Sequence, residues 1–196
     1  MDVVGPAEPA PFVTLTEEDV LRTYHFTVRR TTLRESAQTF VRDIEVHRGT
    51  VAVVAVTGDG RVALVRQYRI PLGVWTLEIP AGGVEDGEEP RETAARELAE
   101  ETGLRPGRMR LLTRFANAPG HSTQWTTVFL ATGCTAGAAA PAGPEEQSLS
   151  LVLVPLADVD ALVEEGAVCD AKSVVGLIRA LRELGRDEGT GHDDVG

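Results

Sequence analysis

Residues 82–104, GGVEDGEEPRETAARELAEETGL, constrain this chain more tightly than any other stretch. Pro90 suits a first helical turn, where its missing N–H costs nothing, and Gly103 suits the left-handed stop at the other end. A helix over residues 89–102 follows. At about 100° per residue, Glu97, Glu100 and Glu101 fall within an arc of roughly 100°, while Ala94, Ala95, Leu98 and Ala99 occupy much of the opposite side. One face packs and the other presents three carboxylates. Arg96 stands at the i, i+4 spacing from both Glu92 and Glu100, where opposite charges meet on a helix surface and can orient a carboxylate.

The segment just before the helix, WTLEIPAGG from Trp75, reads as a short apolar strand running into a glycine-rich loop. Strand, loop and helix form one unit. The glycines let the backbone turn sharply and approach a ligand, so the carbonyl around Ala81 can face the same point as the carboxylates. Clustered hard oxygens suit Mg2+ or Mn2+, ions that serve diphosphate substrates by neutralising charge and activating water.

The pattern Gly82, Glu88, Arg96, Glu97, Leu98, Glu100, Glu101, Gly103, Leu104 resembles the Nudix box of the Nudix hydrolases, without gaps. That resemblance implies an α/β fold: an α/β/α sandwich with a mixed β-sheet and an N-terminal antiparallel strand region. It also implies divalent-metal hydrolysis of a nucleoside diphosphate linked to another moiety. By position, the resemblance implies Glu97 and Glu101 as the principal metal ligands, Glu100 as a further ligand or water-orienting group and Ala81 as a backbone ligand, with Arg96, which positions them, counted with Glu100 and Glu101 among the catalytic residues.

Residues outside the box resemble the ADP-ribose pyrophosphatases: LEIPAG at Leu77, the arginine-bearing Arg66-Gln67-Tyr68-Arg69, Pro119, and Asp170-Ala171-Lys172-Ser173. Read physically, Arg66 to Arg69 follow a strand over residues 61–65 and set cations and an aromatic at a rim, where arginine matches phosphate geometry and stacks on rings. Arg69 is the preferred ligand-binding arginine, with Arg66 beside it. The likeness adds Gly120, His121 and Gln124 as substrate contacts. It further implies a homodimer whose N-terminal strands, residues 13–49, contribute Arg42 and Arg48. A base for the attacking water is expected on a mobile loop, with Glu145 and Glu146 as the candidates. Gln124, Gln147 and Ser150 are departures, neutral where the pattern commonly carries acids.

The chain as a whole, 196 residues with 42% hydrophobic content, is suited to one compact domain over residues 13–185. Residues 1–12 and 186–196 read as disordered tails. Alternation predicts paired strands over 25–31 and 39–46, a buried strand over 50–56, a hairpin turn at Gly58-Asp59-Gly60 and a strand over 149–154. Helices are expected over 159–164 and 172–184, and residues 131–144, rich in Ala and Gly, read as a flexible loop.

A net charge of −11 argues against nucleic-acid or anionic-membrane partners, so an anionic substrate must be met by local arginines and metal. Cys134 and Cys169 have no metal or redox spacing, no stretch has the apolar length of a membrane span, and residues 1–11 lack a signal peptide's features. Together these predict a cytoplasmic protein. The expected activity is Mg2+- or Mn2+-dependent cleavage of the pyrophosphate of ADP-ribose or a related nucleotide sugar, giving AMP or another nucleoside monophosphate and a sugar phosphate. One alternative is the same chemistry on a GDP-sugar, NADH or a dinucleoside polyphosphate; another is a module that senses ADP-ribose without hydrolysing it.

Overall fold

The computed structural model describes residues 9–137 and 148–189, which divide into two compact units. The first holds a three-stranded antiparallel sheet, β1 (Val13–Arg22), β2 (Phe26–Glu35) and β3 (Gln38–His47), together with residues 118–124. The expected pairing of the second and third strands is present, with Phe26 opposite His47 and Glu35 opposite Gln38. The sheet gains β1, which sequence alternation did not reveal. Its register is pinned by cross-strand charge, Arg29 Nε donating to Asp19 Oδ1 at 2.8 Å and Arg30 pairing with Asp43. Phe12, assigned to the N-terminal tail, stacks edge-on against Phe40 at 5.4 Å between ring centroids.

The second unit is built on an eight-stranded mixed sheet. Its strands are β4 (Thr50–Thr57), β5 (Arg61–Arg69), β6 (Val74–Glu78), β7 (Ala81–Gly83), β8 (Leu104–Arg105), β9 (Arg108–Ala116), β10 (Trp125–Ala136) and β11 (Ser150–Pro155). The central order is β11-β5-β4-β10-β8, with β6 beside β5, β7 beside β4 and β9 beside β10. Strands β4 and β10 run parallel, while β5 and β7 flank β4 antiparallel.

Helices cover both faces, as the sandwich expectation requires. The apolar run VAVVAV in β4 splits by the two-residue period of a strand. Val51, Val53 and Ala55 join Ala94 and Leu98 of α1 (Pro90–Thr102) in one core; Ala52, Val54 and Val56 join Leu177 and Ala180 of α3 (Ala171–Gly189) in the other. A short helix, α2 (Val159–Glu164), closes the second core through Val159. Among the described residues, no helix is long and apolar enough to cross a membrane.

Three expected boundaries move. Strand β5 continues to Arg69, so Arg66 to Arg69 are within a strand rather than after its end. The Ala/Gly-rich stretch is not loop from residue 131: β10 extends to Ala136, because Ala131 and Cys134 are buried in the α1 core and small side chains fit there. Helix α3 continues to Gly189, past the expected start of the C-terminal tail.

Candidate active site

The site is built where β6 and β7 lead into α1. Glu89 is the N-cap of α1, Pro90 opens its first turn, and Gly103 ends it with φ 70°, its N–H donating to Ala99 O at 2.9 Å. Burial of Thr93, Ala94, Glu97, Leu98 and Thr102 fixes the rotation of the helix, so Arg96, Glu100 and Glu101 face outward from the same core contact.

Arg96 is the hub. Its Nε and Nη2 donate to the two oxygens of Glu88, each at 3.1 Å, and Nη1 donates to Glu97 Oε1 at 2.8 Å and Glu100 Oε2 at 2.9 Å. The i, i+4 pairing with Glu100 is as expected. The pairing with Glu92 is not made, because the loop before the helix brings Glu88 onto the guanidinium instead. Glu88 also accepts from Thr93 Oγ1 at 2.9 Å and from its own loop, through the Glu85 N–H. The Arg96 hydrogen bonds, then that of Thr93, hold the Glu88 carboxyl at about 2, and the Glu88 hydrogen bonds, with the charges of Glu97 and Glu100, raise Arg96 above its ordinary value.

The glycine loop meets the helix acids directly. A Cβ at Gly82 would overlap the Glu97 carboxylate, so glycine is the residue that allows backbone and acid to touch. The Ala81 N–H donates to Glu101 Oε2 at 3.1 Å. Among the described residues, no three acidic, His or Cys side chains already converge on one point as a finished cation cage. Glu88, Glu97 and Glu100 are instead shared out on Arg96. The donor set still fits a hard divalent cation in its chemistry: carboxylate oxygens on one helix face, pressed against backbone without an intervening side chain.

A second charged cluster adjoins. Arg69 is bidentate to Glu78, Nε to Oε1 at 2.7 Å and Nη2 to Oε2 at 2.6 Å, and the charge of Glu101 also raises the arginine's pKa. Thr76 Oγ1 and Lys172 Nζ add donors to Glu78, which is 1% exposed. Arg66 stacks over Trp75, 4.1 Å from the ring centroid, so its flat face is occupied. The sequence points to Arg69 as a ligand-binding residue but not to these partners. The signal was there: a glutamate inside the apolar run LEIPAG needs paired charge once buried.

The other expected residues lie in the first unit. Arg42 sits over Phe40 at 4.7 Å and donates to Val41 O; Arg48 O accepts from His47 Nδ1. His121 N–H donates to Ala118 O and its carbonyl accepts from Glu45 N–H, while Gly120 is exposed in the same turn. Gln124 N–H donates to Ser122 Oγ, and its side-chain amide approaches His47 Nε2 at 3.5 Å. Glu145, Glu146 and Gln147 lie outside the described residues.

Comparison with known proteins agrees with this geometry. Residues 46–174 match the family model for the NUDIX domain. The methanol dehydrogenase activator of Bacillus methanolicus is 37% identical over 142 residues, covering 72% of this chain and 77% of the relative. The ADP-ribose pyrophosphatase of Bacillus subtilis is 40% identical over 136 residues, 69% of this chain and 74% of the relative. The crystal structure of an ADP compounds hydrolase superposes with a TM-score of 0.82 at 26% identity, covering 94% of this chain and 99% of that one.

Proposed function

The chain belongs to the Nudix family, and on that premise we propose that it hydrolyses the pyrophosphate of ADP-ribose or a related nucleotide sugar, releasing AMP or another nucleoside monophosphate and a sugar phosphate. The observation that carries this reading is the Arg96 hub: one guanidinium gathers Glu88, Glu97 and Glu100 at the turn where Glu101 meets the Ala81 backbone. Hydrolases of this family generally use divalent metals, and Mg2+ or Mn2+ is the ion we assign here. Ala81, Glu97, Glu100 and Glu101 would hold it, supplying charge neutralisation for the diphosphate and activation of water.

The chain's own residues divide the remaining work. Arg96 tethers Glu97 and Glu100 on one side of the helix, so both carboxylates are held beside the glycine loop. Glu100 and Glu101 offer carboxylate oxygens suited to orienting a water. Arg69, anchored on Glu78, binds the diphosphate charge, and Arg66, held against Trp75, adds a second cation for the substrate. Glu145 and Glu146 remain the candidates for the base.

The assignment to ADP-ribose rather than another nucleoside diphosphate derivative is supported by the pyrophosphatase and ADP compounds hydrolase likenesses. Homodimerisation is supported by the apolar exposure of the first unit, where Val13, Leu15, Val20, Leu21 and Val41 all lie at the surface. A cytoplasmic location is supported by two cysteines, both free. A panel of ADP-ribose, GDP-mannose, NADH and diadenosine polyphosphate with Mg2+ and Mn2+ tests the proposal. Fastest cleavage of ADP-ribose supports it; binding of ADP-ribose without cleavage of any of the panel points to the sensing module.

A further inference from the structure

The β5–β6 hairpin and a helix start some ninety residues further on bring four side chains of opposite charge type together. Arg69 ends β5, Glu78 ends β6, and Asp170 and Lys172 stand at the start of α3. Burying the Glu78 carboxylate is costly unless both oxygens are paired. Its Oε1 accepts from Arg69 Nε and Thr76 Oγ1, and its Oε2 from Arg69 Nη2 and Lys172 Nζ. Lys172 Nζ also donates to Asp170 Oδ1 at 2.8 Å.

The position of the lysine is informative. It lies in the first turn of α3, where a cation opposes the helix dipole. Asp170 already serves that helix end, its Oδ1 accepting from the Ser173 N–H at 3.2 Å. The helix therefore has no use for a lysine here; the requirement lies at Glu78. The helix is also set firmly on the sheet. Buried Ser173 accepts from the Ile79 N–H at 2.9 Å, and a Cβ on Gly176 would stand 3.0 Å from Ile79 Cδ1 and 3.2 Å from Val54 and Val128. Lys172 Nζ is thus delivered to a defined point.

Arg69, Thr76, Glu78, Cys169, Asp170 and Lys172 line part of a cavity of about 280 Å³. The Arg69 side chain is 37% exposed although two of its nitrogens are committed to Glu78. We infer that Lys172 is a positioning residue for substrate binding: by holding the Glu78 carboxylate, it keeps the Arg69 guanidinium aimed at this cavity. The inference rests on the reading of Arg69 as a diphosphate ligand.

Steady-state kinetics with ADP-ribose and Mg2+ on the wild type, Lys172→Met and Lys172→Arg test it. In Lys172→Met, KM rises about tenfold with kcat within about twofold, because a guanidinium that binds the diphosphate alike in ground and transition states affects KM alone. Lys172→Arg, which retains the cation, recovers most of the loss. A lysine that only stabilised the fold would lower the active fraction, and hence kcat, at constant KM; that pattern, or an unchanged KM, overturns the inference. If Lys172→Met does not yield folded protein, Thr76→Val removes another donor to Glu78 and carries the same expectation and the same refutation. Wild-type protein that fails to cleave ADP-ribose sinks the hydrolytic reading instead. Calorimetric affinity for ADP-ribose then decides: about tenfold weaker binding in Lys172→Met supports the positioning role, and equal binding overturns it.

Discussion

Glu78 offers a stability measurement whose size and pH dependence both follow from its surroundings. Burial pushes the carboxyl up, but hydrogen bonds from Arg69, Lys172 and Thr76, with the charge of Lys172, outweigh it and bring the group from 4.5 to about 2. That drop corresponds to about 3 kcal/mol of folding free energy at ~1.4 kcal/mol per pH unit. The folded value lies below the unfolded one, so the contribution is complete above about pH 5 and is lost as pH falls toward about 2. Glu78→Gln removes the charge at nearly constant volume. Urea denaturation should find the variant less stable than wild type by about 3 kcal/mol at pH 7, with the difference shrinking by more than half at pH 3. A difference equal at the two pH values would refute the reasoning, because a carboxyl kept neutral by burial has no charge to lose.

Other outcomes follow from the same geometry. Arg96→Ala releases Glu88, Glu97 and Glu100 together and should lower kcat/KM by about 100-fold, the upper range for residues that orient ligands; loss below threefold in a kinetic assay would remove Arg96 from the site. Gly82→Ala forces the Glu97 carboxylate aside, so activity should fall at least tenfold while the thermal midpoint stays within a few degrees. Leu98→Ala, fully buried between α1 and the sheet, should cost about 2–5 kcal/mol in urea denaturation.

What was legible in the sequence was what local chemistry determines. The ends of α1 follow from Pro90 and Gly103, and its burial face from the spacing of Ala94 and Leu98. The box acids could be assembled because they share one helix and one preceding loop. Strand β1 was not legible: its residues VTLTEEDVLR are held by pairing to β2 and by the Asp19 to Arg29 ion pair, neither of which shows as apolar alternation. The Ala-rich end of β10 reads as loop by composition, yet Ala131 is buried and Gly133 takes φ 61° at an irregularity in its pairing with β4. The partnership of Glu78 with Lys172 spans 94 residues, so only the fold reveals it. Likewise the sequence marks Arg96 as a positioning group but points to Glu92, whereas the loop geometry supplies Glu88.

The most direct measurement is the product analysis of ADP-ribose incubated with Mg2+ and either wild-type protein or Glu101→Gln, whose carboxylate meets the Ala81 backbone. Chromatography should show AMP and ribose 5-phosphate in equal amounts from the wild type, with turnover reduced by at least 100-fold in a folded Glu101→Gln. Equal turnover by the two proteins would contradict the assignment of the helix carboxylates to the chemistry. No AMP from the wild type would contradict the hydrolysis of ADP-ribose itself.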